Sequence, residues 1–398
     1  MRDHAPGWWA ALDRAAGGLW LDLILYGLSA FFALFTALTA TLPPHRPWGW
    51  FAFGGYLLAA LAVLTQLGWR LSGRLLVTVA TWVTAALLPL VVEAVQRAAG
   101  RTGRAQEEVV VVEDGGARLL HTGTPYLSRD AVAALPPDER LLGYLPYQPG
   151  MALFGLPRAV FGVAWWTDAR VWFALVTALV LGLALGQLRP GSGRIRALQA
   201  VTVLPVCALT LTVGGDDLPV LALCLLALAY AGRDRYGAAG VAVGLAGALK
   251  LFAWPVALVL LALALKNRRA NRYLPGALGI PFLSLLPAFL VGSGAAIENV
   301  VRFPLGQGLV RSPAASPFPG HLIASLLPGG PAVAAVLLLG AGAAIGLWLL
   351  RRPPSTAGRA ALVCAIGLLT AILLMPSTRF GYLLYPAAYA VWAATLEE

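Results

Sequence analysis

The chain is short of charge. Only 12% of its 398 residues are Asp, Glu, Lys or Arg, while 59% are hydrophobic. Soluble domains are about a quarter charged and roughly half apolar, so this composition excludes a soluble enzyme and implies an integral membrane protein. Mean hydropathy, at +0.77, agrees. Lysine is almost missing: of 29 basic residues only Lys250 and Lys266 are not arginine, a bias expected of a GC-rich bacterial genome. Cysteine is scarce too. Cys207, Cys224 and Cys364 all fall in apolar runs, so neither a disulfide framework nor a metal cluster is expected. GxGxxG, HExxH, CxxC and GxSxG are all missing, which leaves nucleotide-binding and hydrolase readings without a motif, and no cofactor is expected. Gly240-x-x-x-Gly244 ahead of Lys250 is a close-packing signal for helices in lipid rather than a phosphate loop.

What remains is a series of long apolar runs. A spanning helix needs about 20 apolar residues. Runs near 19–41, 49–69, 75–97, 170–188, 197–213, 217–231, 236–250, 252–266, 273–292, 331–350, 359–376 and 380–394 predict an all-α polytopic protein of about 11–12 transmembrane helices. The pair around Lys250 is short enough to form a re-entrant hairpin or one bent element. The first run is longer than the core of a cleavable signal peptide and reads as a span. Thirteen Trp and eleven Tyr suit interfacial aromatic belts.

The net charge of +11 raises a nucleic-acid partner, but the basic residues are dispersed between spans, so topology and membrane lipids account for them better. The N-terminal tail and the turns at 70–74, 189–196, 231–235, 266–272 and 351–359 carry sixteen Arg or Lys; the short turns on the other side carry Arg46, Lys250 and Arg379. Positive residues mark the cytoplasmic face. Both termini are therefore expected inside a bacterial plasma membrane, with two long loops outside. The chain divides into N-terminal spans (1–97), an outer loop ending in an interfacial element (98–169), central spans (170–292), a second outer loop (293–330) and C-terminal spans (331–398). Within the first loop, Leu141 to Trp166 is apolar but interrupted by Pro146, Pro149 and Pro157, which suits a helix lying in the interface.

Polar residues that bear on chemistry gather on that outer face. The stretch 98–150 holds Glu107, Glu108, Glu113 and Asp114, then Tyr126, Tyr144 and Tyr147. A carboxylate at the mouth of a bundle can take a proton from a sugar hydroxyl, although each acid taken alone also reads as a solvated charge. Asp216 and Asp217 open a helix after a short turn, a placement the helix dipole explains by itself and that also suits an acceptor or metal contact. Lys250 lies between apolar spans, where an ionisable group is functional by default or else snorkels to the interface. Arg379, with Tyr382 and Tyr385 beside it, offers the planar fork that suits phosphate, or an interfacial anchor. In the second loop Arg311 and His321 flank a Pro/Ser-rich segment, with His321 at a helix start.

These motifs, in this order, resemble glycosyltransferase family 87, the DUF2029-type polyprenyl-phosphate-mannose-dependent α-mannosyltransferases of C-type membrane fold. The likeness rests on an acidic residue after a span followed by Gly123-Thr-Pro-Tyr126, on Tyr144-Leu-Pro-Tyr147, on the small-residue helix ending at Lys250 with Pro255 after it, and on the close from Arg379 to Pro386. In the family an outer-face carboxylate, usually Asp, resembles the catalytic base. Counting seventeen residues back from Pro125 lands on Glu108, with Glu107 and Glu113 as rivals. Two additional spans, 19–41 and 49–69, precede the usual first one.

The resemblance implies a single inverting displacement. The donor is a sugar, mannose by family likeness, on a polyprenyl phosphate, and the acceptor is a lipid or glycan. It also implies that Lys250, Arg379, His321 and Arg311 hold the donor phosphate; Asp114, Tyr126, Tyr144, Tyr147, Asp216, Asp217 and Tyr382 are expected as acceptor or loop contacts. No metal is implied. A lipid or solute transporter, or an inactive structural subunit, stays open as an alternative. Transporters, however, place ionisable groups near the bilayer midplane rather than at an outer mouth.

Overall fold

A computed structural model describes residues 15–69 and 73–397. Most of the basic N-terminal tail and turn residues 70–72, both counted above among the cytoplasmic charges, lie outside the described residues. The apolar runs are helical because backbone polar groups in lipid have no water and must bond within their own segment.

The helices are α1 (Leu19–Thr39), α2 (His45–Trp69), α3 (Arg74–Ala98), α4 (Glu107–Thr122), α5 (Arg129–Ala134), α6 (Leu156–Phe161), α7 (Ala169–Gly186), α8 (Ser192–Thr202), α9 (Pro205–Val213), α10 (Asp217–Gly232), α11 (Tyr236–Leu249), α12 (Ala253–Lys266), α13 (Ala270–Ile297), α14 (Pro319–Leu326), α15 (Gly330–Arg351), α16 (Ala357–Leu374) and α17 (Leu384–Thr395). No strand occurs among the described residues; the one extended pairing is a parallel bridge between Ala315 and Thr378.

Every run expected to span is helical. Among the described residues seven helices are long and apolar enough to cross a membrane, or eight if α8 and α9, bent by 43°, are taken as one span. The rest are shorter. The central helix α10 shows why length alone misleads: it is apolar all round, and fourteen of its sixteen residues are buried by neighbouring helices. Such a helix belongs to a core rather than to a lipid-facing surface. Its N-cap Asp216 and first residue Asp217 are thereby carried to the centre of one end of the bundle.

Glycines allow a close contact between α11 and α13. A Cβ on Gly240 would stand 2.1 Å from the Tyr273 carbonyl oxygen, and one on Gly244 would stand 2.1 Å from that of Gly276. The small-residue spacing read from sequence thus lets α11 and α13 approach backbone to backbone. A π-bulge, Val83–Leu87, interrupts α3. Its freed carbonyls take side-chain donors: Ala85 accepts from the Trp48 indole at 2.9 Å and Ala86 from the Thr212 hydroxyl at 3.0 Å. The bulge is therefore where the hairpin α1–α2 locks onto the bundle.

Polar contacts mark the two ends. At one, Asp22 accepts from Arg74 at 2.6 Å and from Gln199 at 2.9 Å, and also pairs with Arg196. At the other, Gln106 donates to Val213 (2.8 Å), Gln148 to Leu249 (3.1 Å) and Thr378 to Ala314 (3.0 Å). Both long loops close over this second end.

The stretch read as a polar loop contains α4, a helix of 16 residues. Gly116 lets α4 lie against the 3-10 turn Pro149–Gly155, since a Cβ there would meet the Gly155 backbone at 2.4 Å. The interrupted apolar segment 141–166 is divided among that turn, α6 and a short turn at Trp165–Thr167. Its prolines break it into pieces rather than allow one interfacial helix.

Candidate active site

Five residues separate Glu108 from Glu113. At 100° per residue they lie about 140° apart around α4, so the two rival carboxylates face different surroundings. Glu108 faces the bundle end. Its Oε1 pairs with the Arg379 guanidinium, while its Oε2 is buried with no hydrogen-bond partner. Arg379 is held in place by the preceding residue: Thr378 donates to Ala314 and accepts from Ser316 at 2.9 Å. One loop thus supplies the carboxylate, and a C-terminal segment fastened to the other loop supplies the cation.

Lys250 lies beside this pair, at the break between α11 and α12. Its ammonium donates to Asp216 at 2.8 Å and to Asp217 at 2.6 Å, and the residue is only 6% exposed. Tyr385 donates to Asp217 at 2.7 Å. The rings of Tyr147, Tyr382 and Phe252 surround the ammonium at 5.0, 5.4 and 6.0 Å from their centroids, a cation–π cage in a desolvated site. The cation that the two aspartates hold is therefore the lysine itself, and the lysine read as a phosphate ligand already has two anionic partners. Its cage is fixed from the first loop. Tyr126 donates to the Tyr147 carbonyl at 2.8 Å, and Gly150 packs so closely that a Cβ would stand 2.6 Å from the Ala248 oxygen. Burial, then the negative Asp216, push the Tyr147 hydroxyl well above its ordinary range, so it stays protonated.

Glu113 is committed elsewhere. Arg97 clasps both its oxygens at 2.8 and 2.7 Å, Arg158 approaches at 3.1 Å, and the Ala169 amide donates at 3.1 Å. The network continues through Asp168 to Arg97 (3.0 Å) and Arg170 (2.9 Å), and from Arg170 to Glu93 at 3.3 Å. These contacts weld α3, α4 and α6 to α7 and hold α4 at its angle. Burial alone raises the Asp168 carboxyl, but the Arg170 and Arg97 guanidiniums outweigh it and hold it at about 2.

A third cluster joins the loops. Glu298 accepts from Arg129 and from the Tyr144 hydroxyl, both at 2.9 Å, while Leu309 donates to Tyr144 at 2.8 Å. Asn299 accepts from the Leu145 amide and donates to the Leu127 carbonyl, each at 2.8 Å.

Of the residues singled out by sequence, Glu108, Arg379, Tyr382, Lys250, Asp216, Asp217, Tyr147 and Tyr126 come together. Glu113 stands in the ion network with Asp114 beside it, Tyr144 in the seam between loops, and Glu107 and Arg311 are exposed. His321 does open α14, where its Nδ1 lies 2.9 Å from the Pro376 carbonyl; there it braces the segment leading to Arg379. Sequence reading passed over Glu93, Asp168, Arg170 and Glu298. The available signal was charge at the ends of apolar runs, where each acid needs a base to be tolerated.

Two crystal structures of ArnT from Cupriavidus metallidurans are similar to this chain. The apo form is 17% identical with a TM-score of 0.45, covering 73% of this chain and 54% of its own. The form bound to undecaprenyl phosphate is 17% identical with a TM-score of 0.48, covering 80% and 60%. The chain thus spans little more than half the length of those proteins. No curated protein matches it. The model of glycosyltransferase family 87 matches residues 144–376, more than half of the sequence, and the chain belongs to that family.

Proposed function

We propose that the protein is an inverting membrane glycosyltransferase. It moves a hexose, mannose by family preference, from a polyprenyl-phosphate-sugar to a lipid or glycan acceptor on the outer face. The observation that carries this reading is the Glu108–Arg379 pair with one carboxylate oxygen left unpartnered in a buried setting. In the resting site the guanidinium occupies the carboxylate. An arriving donor phosphodiester offers Arg379 a second anion, and bidentate guanidinium–phosphate contact draws it from Glu108. The freed carboxylate takes the proton from the acceptor hydroxyl, whose oxygen forms the new bond to the anomeric carbon. The bond from that carbon to the phosphate oxygen breaks, and its electron pair leaves on the phosphate, where Arg379 meets the growing charge. One displacement converts a β-linked donor into an α-linked product.

Lys250 takes a supporting role in this scheme. With two aspartates on its ammonium, it orders Tyr147 and Tyr382 beside the site instead of meeting the phosphate. His321 and Arg311 are likewise assigned outside the phosphate contact, the first bonded to Pro376 and the second exposed.

The test is transfer of radiolabelled mannose from polyprenyl-phosphate-mannose in membranes containing the protein, with the anomeric configuration of the product read by NMR. An α-linked product made by wild type and not by Glu108→Gln supports the proposal. A β-linked product, or donor that crosses the bilayer unchanged, contradicts it.

A further inference from the structure

The hairpin α1–α2 lies before the segment that carries the family match, yet its turn reaches the same end as Glu108 and Arg379. Pro43 packs against residues 98–106, so closely that a Cβ on Gly103 would meet its ring at 2.8 Å. His45, two residues on, opens α2. It is half-buried, its Nδ1 is enclosed with no hydrogen-bond partner, and it lies within electrostatic reach of Arg379.

This placement is rigid. Trp48, one turn along α2, is fully buried with its indole bonded to the π-bulge. Gly49 lets α2 press onto α1, where a Cβ would stand 2.6 Å from the Ala37 nitrogen. A buried polar atom without a partner is destabilising and in a folded protein calls for an explanation. Such atoms at this end include Glu108 Oε2, on the partner of Arg379, Thr378 Oγ1, on the residue before it, and His45 Nδ1, which the Arg379 charge reaches across space.

We propose that His45 is a sugar-contacting residue, supplied by the N-terminal hairpin, which hydrogen-bonds hydroxyls of the transferred hexose. The inference rests on the donor reading above. If Arg379 meets the phosphate and Glu108 the acceptor hydroxyl, the sugar ring lies between them. His45, brought to the same end by the hairpin turn and bonded to neither group, is placed to meet the ring. An imidazole suits the position because it offers a donor and an acceptor together.

The experiment measures binding to the full protein in lipid nanodiscs. The probes are undecaprenyl phosphate and its mannosyl, glucosyl and galactosyl derivatives. Wild type is expected to bind one sugar-bearing lipid more tightly than the bare phosphate. His45→Ala is expected to weaken that lipid about tenfold, the scale of a lost buried hydrogen bond, while leaving the bare phosphate unchanged. His45→Gln, which keeps a donor and an acceptor, should recover part of the loss. Retained affinity for the bare lipid shows that the variant is folded. Equal weakening of both lipids assigns His45 to structure, and no weakening of either removes it from the site; both overturn the proposal. If wild type binds none of the lipids, the donor reading itself fails, and the inference with it.

Discussion

At the scale of single residues, the site separates two uses of charge. Glu108 keeps one oxygen free of partners, whereas every oxygen of Glu113 is taken up by guanidinium or amide donors. Replacing Glu108 with Gln should therefore reduce turnover by about 10²–10⁴-fold, the usual contribution of a positioned base, with donor affinity retained. Undiminished turnover in that variant would remove Glu108 from the role. Lys250 calls for a different kind of measurement. Lys250→Met leaves Asp216 and Asp217 buried without a counter-ion, and breaking a buried pair costs about 3–5 kcal/mol. A marked fall in melting temperature is expected, largely recovered when both aspartates are also changed to Asn. If Lys250→Met alone melts as wild type does, the ammonium is not the aspartates' cation.

At the scale of elements, the ion network and the loop seam decide where α4 and the Tyr126–Tyr147 segment stand. The ordinary carboxyl value of Asp168 is 3.8, and the fold holds it at about 2. A depressed value stabilises the fold above the unfolded pKa, and that stabilisation is lost as pH falls from about 4 towards 2. Two units correspond to about 2–3 kcal/mol. Melting of the purified protein should drop steeply over that window, and Asp168→Asn should flatten the drop while lowering stability at pH 6. An unchanged pH slope in Asp168→Asn would assign the acid sensitivity to other carboxylates.

In the seam, the Asn299 side chain bonds backbone on both sides, at Leu127 and Leu145. Asn299→Ala should loosen the two segments that carry Tyr126 and Tyr147. Hydrogen exchange is expected to rise across 124–148 and to stay unchanged in α10; protection equal to wild type would mean that the seam does not order the loop.

This scale is also where sequence reading reached its limit. The helical runs were legible because lipid demands internal hydrogen bonding, and the Gly240–Gly244 spacing announced a close contact. The helix α4 was hidden behind its cluster of charges and a Val109–Val112 run that favours strands. The partnership of Lys250 with Asp216 and Asp217 spans more than thirty residues of chain, and nothing local in the sequence signals it. Candidate positions were legible one by one, whereas the pairings that decide their roles come only from how the bundle packs.

At the scale of the whole molecule, helices that run up and down alternately gather both long loops at one end and most of the Arg-rich turns at the other. The proposed orientation places the loop end outside the cell. Cys207, Cys224 and Cys364 are buried, so they give little background to labelling with a membrane-impermeant maleimide. On intact cells Arg311→Cys should be labelled and Arg351→Cys should not; the reverse pattern would invert the topology. The central claim is that this end exchanges a sugar for a proton, with the polyprenyl phosphate departing. The direct measurement is a single turnover with equimolar protein and polyprenyl-phosphate-mannose in membranes that supply the acceptor, counting sugar transferred to acceptor against polyprenyl phosphate released. The account predicts one-to-one release in wild type and neither event in Glu108→Gln, which still binds the donor. Full turnover in Glu108→Gln, or sugar and lipid recovered still joined on the opposite side of the membrane, would contradict it.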